Sequence, residues 1–134
     1  MSTIHRVTRQ FPIAIAVLIG IGTMSLWGAE WRAFDNSAFK NAQAAGKTVV
    51  IDFHATWCPT CAKQKPILEK LISENEFQGV VAFVADYDSS SELKKQMKIT
   101  GQSTIVVFKG DREVARSMGV TAESELRSLL KKGL

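Results

Sequence analysis

The sequence comprises 134 residues, of which 46% are hydrophobic and 22% are charged, an ordinary globular composition with enough material for one domain. The formal net charge of +4 falls to +2 once the basic first 29 residues are set aside, so the basic balance of the chain is not a nucleic-acid-binding signal and we expect no nucleic acid among the partners. Two cysteines in the whole chain exclude a scaffold of several disulfides and a zinc site of four thiolates.

The start of the chain has the pattern of an export signal. A basic head precedes an apolar run over residues 11–27, and small residues follow it. Residues 1–29 are therefore expected to be a signal peptide or an N-terminal membrane anchor. The anchor is an alternative because the length of the apolar run is close to the ~17 residues that can span a bilayer. Ala29 suits a cleavage site, whereas Trp27 stands where a small residue is usual, so both interpretations stay open. The remaining domain, 30–134, would be exported, periplasmic in a bacterium, and either free or anchored to the inner membrane.

Helices and strands alternate along the rest of the chain. Apolar residues at helical spacing predict helices, and short runs rich in β-branched residues predict strands. The predicted elements are, in order, a helix over 34–45, a strand over 47–55, a helix over 58–74, a strand over 79–86, a helix over 89–98, strands over 104–109 and 113–118, and a last helix capped by Thr121. Alternating strands pair in parallel, and the final tight turn adds an antiparallel hairpin. We expect an α/β fold with a mixed central sheet of about four strands and helices on both faces.

The two cysteines form a Cys-x-x-Cys pair at the junction of a buried strand with the long helix, in the order Trp57-Cys58-Pro59-Thr60-Cys61. Cys58 is expected to be the first residue of the helix, where free N–H groups and a partial positive charge favour a thiolate. Pro59 suits the first turn, where a missing N–H costs nothing. Cys61 lies one turn on and on the same face. We expect it to be more buried than Cys58 and to resolve a mixed disulfide formed there.

Other uses of the pair stay open. A purely structural disulfide is disfavoured, because a bridge that closes so short a loop stabilises little. A copper site would use both thiolates and His54, since soft Cu(I) prefers sulfur ligands. Redox exchange fits best, because a thiolate is the species that attacks disulfides. The sequence thus favours a thiol–disulfide oxidoreductase, with a periplasmic copper carrier and a redox-inert adaptor as the alternatives.

Two segments carry a family resemblance. Residues 49–68, VVIDFHATWCPTCAKQKPIL, resemble the strand-loop-helix signature of the thioredoxin superfamily. Residues 99–114, ITGQSTIVVFKGDREV, look like the segment that holds the family's cis-proline loop and terminal hairpin. The context is similar to that of periplasmic members, including the C-terminal domain of the bacterial membrane thiol-disulfide interchange protein. The resemblance implies a thioredoxin-like fold over residues 30–134 and activity as a protein-disulfide oxidoreductase.

The resemblance implies that Asp52 takes the proton from Cys61, through water, when Cys61 resolves a mixed disulfide. A carboxylate is costly to bury in an apolar strand. Many members place a lysine beside this Asp on the neighbouring strand, and here that position is Val84. Without a cation, burial should raise the pKa of Asp52. His54 lies on the same strand face as Asp52, where it would tune the thiolate, complete a metal site or pack beside the loop.

Substrate contacts are expected from Trp57, Pro59, Thr60, Gln102 and Ser103. Trp57 would shield the attacking cysteine, and Thr60 would offer its N–H and hydroxyl to the thiolate. Ser103 stands where the family has its cis-proline, and a cis bond before a non-proline residue costs about 2.5–4 kcal/mol. We therefore expect a trans Gln102–Ser103 bond. Ser103 also brings back an N–H and adds a hydroxyl, so partner choice would differ from that of other members.

The expected partners are protein thiols or disulfides together with a partner reductase or oxidase. We expect no organic cofactor and no metal, because the cysteine pair itself carries the electrons and the chain has no nucleotide-binding glycine pattern. Reduction would then come from a partner protein, and the domain would act as a monomer. Reduction of partner proteins is the preferred direction, because reductive proteins in an oxidising compartment need electrons delivered to them.

Overall fold

The computed structural model describes residues 29–134. The predicted signal peptide or anchor, residues 1–29, which we call the leader, therefore lies outside the described residues except for Ala29. The elements are β1 (Trp31–Ala33), α1 (Asn36–Ala44), β2 (Thr48–His54), α2 (Pro59–Ser73), a 3₁₀ turn (Asn75–Phe77), β3 (Val81–Asp86), α3 (Ser91–Met97), β4 (Thr104–Lys109), β5 (Arg112–Met118) and α4 (Glu123–Lys131). All predicted elements are present, with ends that differ by at most two residues. Across the described part of the chain, no helix has the length and apolar character needed to cross a membrane.

The strands form one mixed sheet in the order β1-β3-β2-β4-β5. The first three run parallel to one another, whereas β4 is antiparallel to β2 and β5 is antiparallel to β4. This confirms the predicted mixed sheet and adds a fifth strand. That strand, β1, has three residues at the edge of the sheet, which is too short for a periodic pattern in the sequence. The central strand β2 leads directly to the cysteine pair.

Helices cover both faces of the sheet, as predicted, because side chains alternate along the central strand. On one face, Val50 packs with apolar side chains of α2 and α4. On the other face, Val49, Ile51 and Phe53 pack with side chains of α1 such as Phe39. All of β2 except its last residue is buried, which confirms the prediction of a strand covered on both sides. The face of Val50 is also the face of Asp52.

The first helix, α1, and the last helix, α4, have different N-caps. The carboxylate of Asp35 caps α1 by accepting a hydrogen bond from the amide of Ala38 at 2.7 Å. The predicted cap of α4 at Thr121 is wrong, because the N-cap is Ala122 and makes no side-chain hydrogen bond. The helix begins one residue later than predicted, so Thr121 precedes the N-cap. Only a side chain at the N-cap itself is placed to accept from the free amides of the first turn.

Candidate active site

The cysteine pair lies where β2 passes into α2. Cys58 is the N-cap of α2 and Pro59 is the first helical residue, so the predicted start at Cys58 is wrong by one position. In this place the Sγ atom of Cys58 accepts a hydrogen bond from the backbone N–H of Cys61 at 3.1 Å. An N-cap side chain normally receives one of the free amides of the first turn. The sulfur therefore occupies the point at which a helix offers donors to a negative charge.

Cys61 is the more buried cysteine, as predicted, with an exposed fraction of 0% against 3% for Cys58. Both are free thiols, and they pack with Ala55 and Tyr87. Burial, followed by its hydrogen bond with Cys58, raises the pKa of Cys61 to about 11. At neutral pH Cys61 is therefore a protonated thiol, and it needs a base before it can act as a nucleophile.

Asp52 is the candidate base. It pairs in register with Val84 on β3, which confirms the neighbour predicted from the sequence, and with Ile105 on β4. The residue is 3% exposed, and its Oδ1 atom has no hydrogen-bond partner in the part of the chain that the structure describes. Burial raises the pKa of Asp52 to about 7, with the positive charge of Lys65 opposing the rise. The negative charge of Asp52 in turn adds to the raised pKa of Cys61. Such a carboxyl group can exchange a proton at neutral pH.

His54 lies on the same face as Asp52, as strand alternation predicts. The Nδ1 atom of His54 is 3.8 Å from Oδ2 of Asp52, and the imidazole side chain is 18% exposed. On the neighbouring strand His54 pairs in register with Asp86. Within residues 29–134 no group of three or more His, Cys, Asp or Glu side chains is placed to hold a metal, so His54 does not complete a three-ligand site with the cysteines.

An exposed rim surrounds the buried sulfur of Cys58. Trp57 is 58% exposed, and its indole N–H donates a hydrogen bond to Oδ2 of Asp88 at 2.9 Å. Pro59 is exposed and Thr60 is half-buried. The donor to the Cys58 sulfur is the amide of Cys61 and not the Thr60 N–H or hydroxyl that the sequence predicts. The rim presents a largely apolar surface next to the nucleophile.

The loop before β4 differs from a proline-containing loop. The Gln102–Ser103 bond is trans, which confirms the prediction, and Ser103 has a φ of 57°, in the left-handed region that favours glycine. The Ser103 N–H donates to the carbonyl of Phe53 at 2.9 Å, and its carbonyl accepts from the N–H of Gly119 at 3.0 Å. Its hydroxyl donates to the carbonyl of Gln102 at 2.6 Å. Ser103 is 5% exposed, and its polar groups make hydrogen bonds inside the protein, whereas Gln102 is half-buried beside it.

Gln64 is a site residue that sequence reasoning missed. It is completely buried on α2, and its Nε2 atom donates to the carbonyls of Ser103 at 3.3 Å and of Val120 at 2.8 Å. The amide thus links the helix of the cysteines to the two loops beside it. Gln64 lies four residues before the buried Leu68, and residues four apart share a helix face. That spacing was the signal in the sequence that Gln64 is a buried polar residue.

Comparison with known proteins agrees with this geometry. The thioredoxin family model matches residues 30–132. Thioredoxin from Chlamydia trachomatis is 35% identical over 94 residues, which covers 70% of this chain and 89% of that protein. The crystal structure of Trxlp from Edwardsiella tarda aligns with a TM-score of 0.73 at 31% identity, covering 75% of this chain and 98% of that one. A bifunctional thioredoxin reductase/thioredoxin from Mycobacterium leprae is 33% identical over 92 residues, which covers 69% of this chain and 20% of that larger protein.

Proposed function

Because this chain belongs to the thioredoxin family of protein-disulfide oxidoreductases, we propose that it reduces disulfide bonds of partner proteins outside the cytoplasm. One observation carries the chemistry. The sulfur of Cys58 caps a helix, while the neighbouring Cys61 is buried as a protonated thiol close to Asp52. The two sulfurs therefore have unequal environments, which suits one of them to attack and the other to resolve.

The exchange proceeds in two steps. First, the Cys58 thiolate attacks a substrate disulfide, a bond forms between Cys58 and one substrate sulfur, and the other substrate sulfur leaves as a thiolate. Second, Asp52 removes the proton from Cys61, whose sulfur attacks Cys58 and releases the first substrate sulfur. The substrate gains two electrons and the cysteine pair is oxidised to a disulfide. The pKa of about 7 at Asp52 lets that carboxyl group accept this proton near neutral pH.

A partner reductase must then restore the dithiol. The proposed chemistry uses the cysteine pair as the electron carrier, without an organic cofactor or a metal. The Mycobacterium leprae relative carries a thioredoxin reductase and a thioredoxin in one protein, which supports a reductase as the source of electrons. We infer that the domain works as a monomer and receives its electrons by exchange at the same rim that contacts the substrate.

The proposed location depends on the leader. Residues 1–29 would direct export, either as a signal peptide cleaved after Ala29 or as an anchor through residues 11–27, and the domain 30–134 would then act in the periplasm of a bacterium. The basic head and the apolar run support this placement. Fractionation of cells that express the full chain, with N-terminal sequencing of the product, tests it. A full-length product confined to the cytosol would contradict the placement.

Trapping of mixed disulfides tests the function. The full chain is expressed with Cys61→Ala or, as the matched control, with Cys58→Ala. We expect the Cys61→Ala variant to accumulate mixed disulfides with partner proteins through Cys58, because the resolving sulfur is gone, and the control to accumulate few. Reducing agent should release the captured proteins.

Two outcomes would contradict the proposal. A redox-inert adaptor would trap nothing with either variant. A copper carrier would form a tight one-to-one complex with Cu(I) in an anaerobic titration and would show no disulfide exchange.

A further inference from the structure

A cavity of about 220 Å³ lies beside Asp52, between α2 and the edge of the sheet. Its polar lining comes from three elements: Trp31 and Arg32 on β1, Asp52 and His54 on β2, and Lys65 and Glu69 on α2. One water occupies about 30 Å³ in the liquid, so the cavity has room for several waters. It is adjacent to the one carboxyl group that the proposed mechanism needs.

Two buried polar atoms on residues that line this cavity have no hydrogen-bond partner among residues 29–134. They are Oδ1 of Asp52 and Nε1 of Trp31. Leaving a buried polar group unpaired is costly, because the group has lost its hydrogen bonds to water and gained none in return. A water molecule that enters the cavity would give such an atom a partner. The lining is therefore built for a hydrated space next to Asp52.

His54 connects this space to the surface. Its Nδ1 atom is 3.8 Å from Oδ2 of Asp52, and its ring is 18% exposed. The separation is longer than a direct hydrogen bond, and either one bridging water or a small rotation of the ring closes it. An imidazole ring takes up a proton on one nitrogen and releases one from the other near neutral pH. No backbone movement is needed for such a transfer.

The other charged groups around the cavity are poorly suited to carry the proton. Lys65 and Glu69 form an ion pair at its mouth, with side chains 57% and 50% exposed. As an ammonium group Lys65 has only donors, and the Glu69 carboxylate is engaged by it. Arg32 on β1 lies over the ring of Phe83, 4.9 Å from its centroid, and so on the opposite face of the sheet.

Asp86 on β3 is the remaining charge beside His54. It pairs in register with His54, and its carboxylate accepts hydrogen bonds from the amide and hydroxyl of Ser89. The two hydrogen bonds hold that carboxylate in place beside the end of β2. The titratable groups around the pair are thus Lys65, Glu69 and Cys61 on α2 and Asp86 on β3, while the Arg32 guanidinium lies on the opposite face of the sheet.

We propose that His54 relays the proton between Asp52 and solvent through this cavity, and so resets the base after each resolution step. The inference rests on the proposed thiol–disulfide exchange. When Cys61 attacks Cys58, its proton moves to the Asp52 carboxylate, the Cys58–Cys61 bond forms and the bond from Cys58 to the substrate sulfur breaks. Asp52 is left as a neutral acid. Its proton then passes to Nδ1 of neutral His54, and Nε2 releases a proton to solvent; no electrons move in this second stage.

The rate of single-turnover resolution and the rate of multiple-turnover reduction together distinguish a proton relay at His54 from a purely structural role. Single-turnover resolution of a mixed disulfide at pH 8 begins with Asp52 already ionised, so it does not need the relay. In multiple-turnover reduction of insulin, dithiothreitol reopens the disulfide and Cys61 leaves as a thiolate that regains a proton. Each cycle with the relay therefore moves one proton from Asp52 to solvent and one proton back from solvent to Cys61. We expect His54→Ala to change the first rate by less than about twofold. It should lower the second on the order of 10-fold in dilute buffer, less than the 10²–10⁴-fold of a group that acts on the reacting atoms.

Rescue by imidazole identifies the relay. Added imidazole should restore turnover of His54→Ala in a concentration-dependent way, because it can enter the space left by the side chain and carry the proton. His54→Gln keeps a side chain of similar size and tests the same loss should the alanine variant fold poorly. Lys65→Met is the matched control. It removes a charge that lowers the pKa of Asp52, so its turnover profile should shift to higher pH without any response to imidazole.

Unchanged turnover in both His54 variants would overturn the inference. An equal loss of both rates without rescue by imidazole would also overturn it, because it would show that His54 only supports the fold of the site. Failure of the proposed function gives a different result: the wild-type protein itself would then neither form a mixed disulfide nor reduce insulin.

Discussion

Replacement of Asp52 by asparagine should stabilise the protein at neutral and alkaline pH. Burial raises the pKa of Asp52 from its ordinary value of 3.8 to about 7, so the folded state holds a proton that the unfolded chain has already lost in that window. The free energy of unfolding of the wild-type protein therefore falls as the pH rises through the window. A shift of this size corresponds to about 4 kcal/mol once the pH exceeds the folded-state pKa. The carboxyl group is 3% exposed, so solvent screens little of the effect.

Urea unfolding of the reduced proteins at several pH values between 4 and 9 measures this difference. Asparagine has nearly the volume of aspartate and does not ionise, so it removes the titration and leaves the packing. We expect the gap between Asp52→Asn and wild type to widen by about 1.4 kcal/mol per pH unit between pH 4 and 7, and to level off above that. A gap that does not change with pH would refute the claim that the carboxyl group is buried with a raised pKa.

Three further predictions concern the surroundings of the cysteines. Ser103→Pro should destabilise the protein by roughly 3 kcal/mol in urea unfolding, because proline cannot adopt the positive φ and lacks the N–H that Ser103 donates to Phe53, whereas Ser103→Gly should be nearly neutral. Equal stability of the proline and glycine variants would contradict the described loop. Gln64→Met should cost about 1–3 kcal/mol, because the carbonyl of Val120 loses its donor while the volume is kept; an unchanged urea midpoint would remove Gln64 from its linking role. Asp88→Ala should speed hydrogen exchange of the Trp57 indole N–H measured by NMR and change stability by no more than about 0.5 kcal/mol, and an unaltered exchange rate would show that the hydrogen bond does not form in solution.

Elements with strong local signals could be predicted from the sequence. The strand Thr104–Lys109 has the predicted bounds, because a run of β-branched and aromatic residues ends at a tight turn. The burial of β2 and the position of Val84 beside Asp52 also follow from pattern and register. The cysteine pair could be placed at the helix start because Pro59 between the cysteines fits a first helical turn.

Features that depend on tertiary contacts could not be predicted. The choice of Cys58 as N-cap, and of the Cys61 amide as its donor, depends on where the chain leaves β2, which no periodicity fixes. The effect of the Lys65 charge on Asp52 could not be predicted either, because a long side chain extends well beyond its own backbone position. The left-handed conformation of Ser103 is held by groups from distant segments, which a local sequence pattern does not report.

Alkylation of the reduced protein tests the division of roles between the two sulfurs most directly. With a pKa of about 11, Cys61 holds only about one thiolate per 10⁴ molecules at pH 7, and it is fully buried. Iodoacetamide at pH 7, followed by mass spectrometry of the peptides, should therefore modify Cys58 at least about 100 times faster than Cys61. Comparable labelling of Cys61, or faster labelling of Cys61 than of Cys58, would contradict the assignment of Cys58 as the attacking residue.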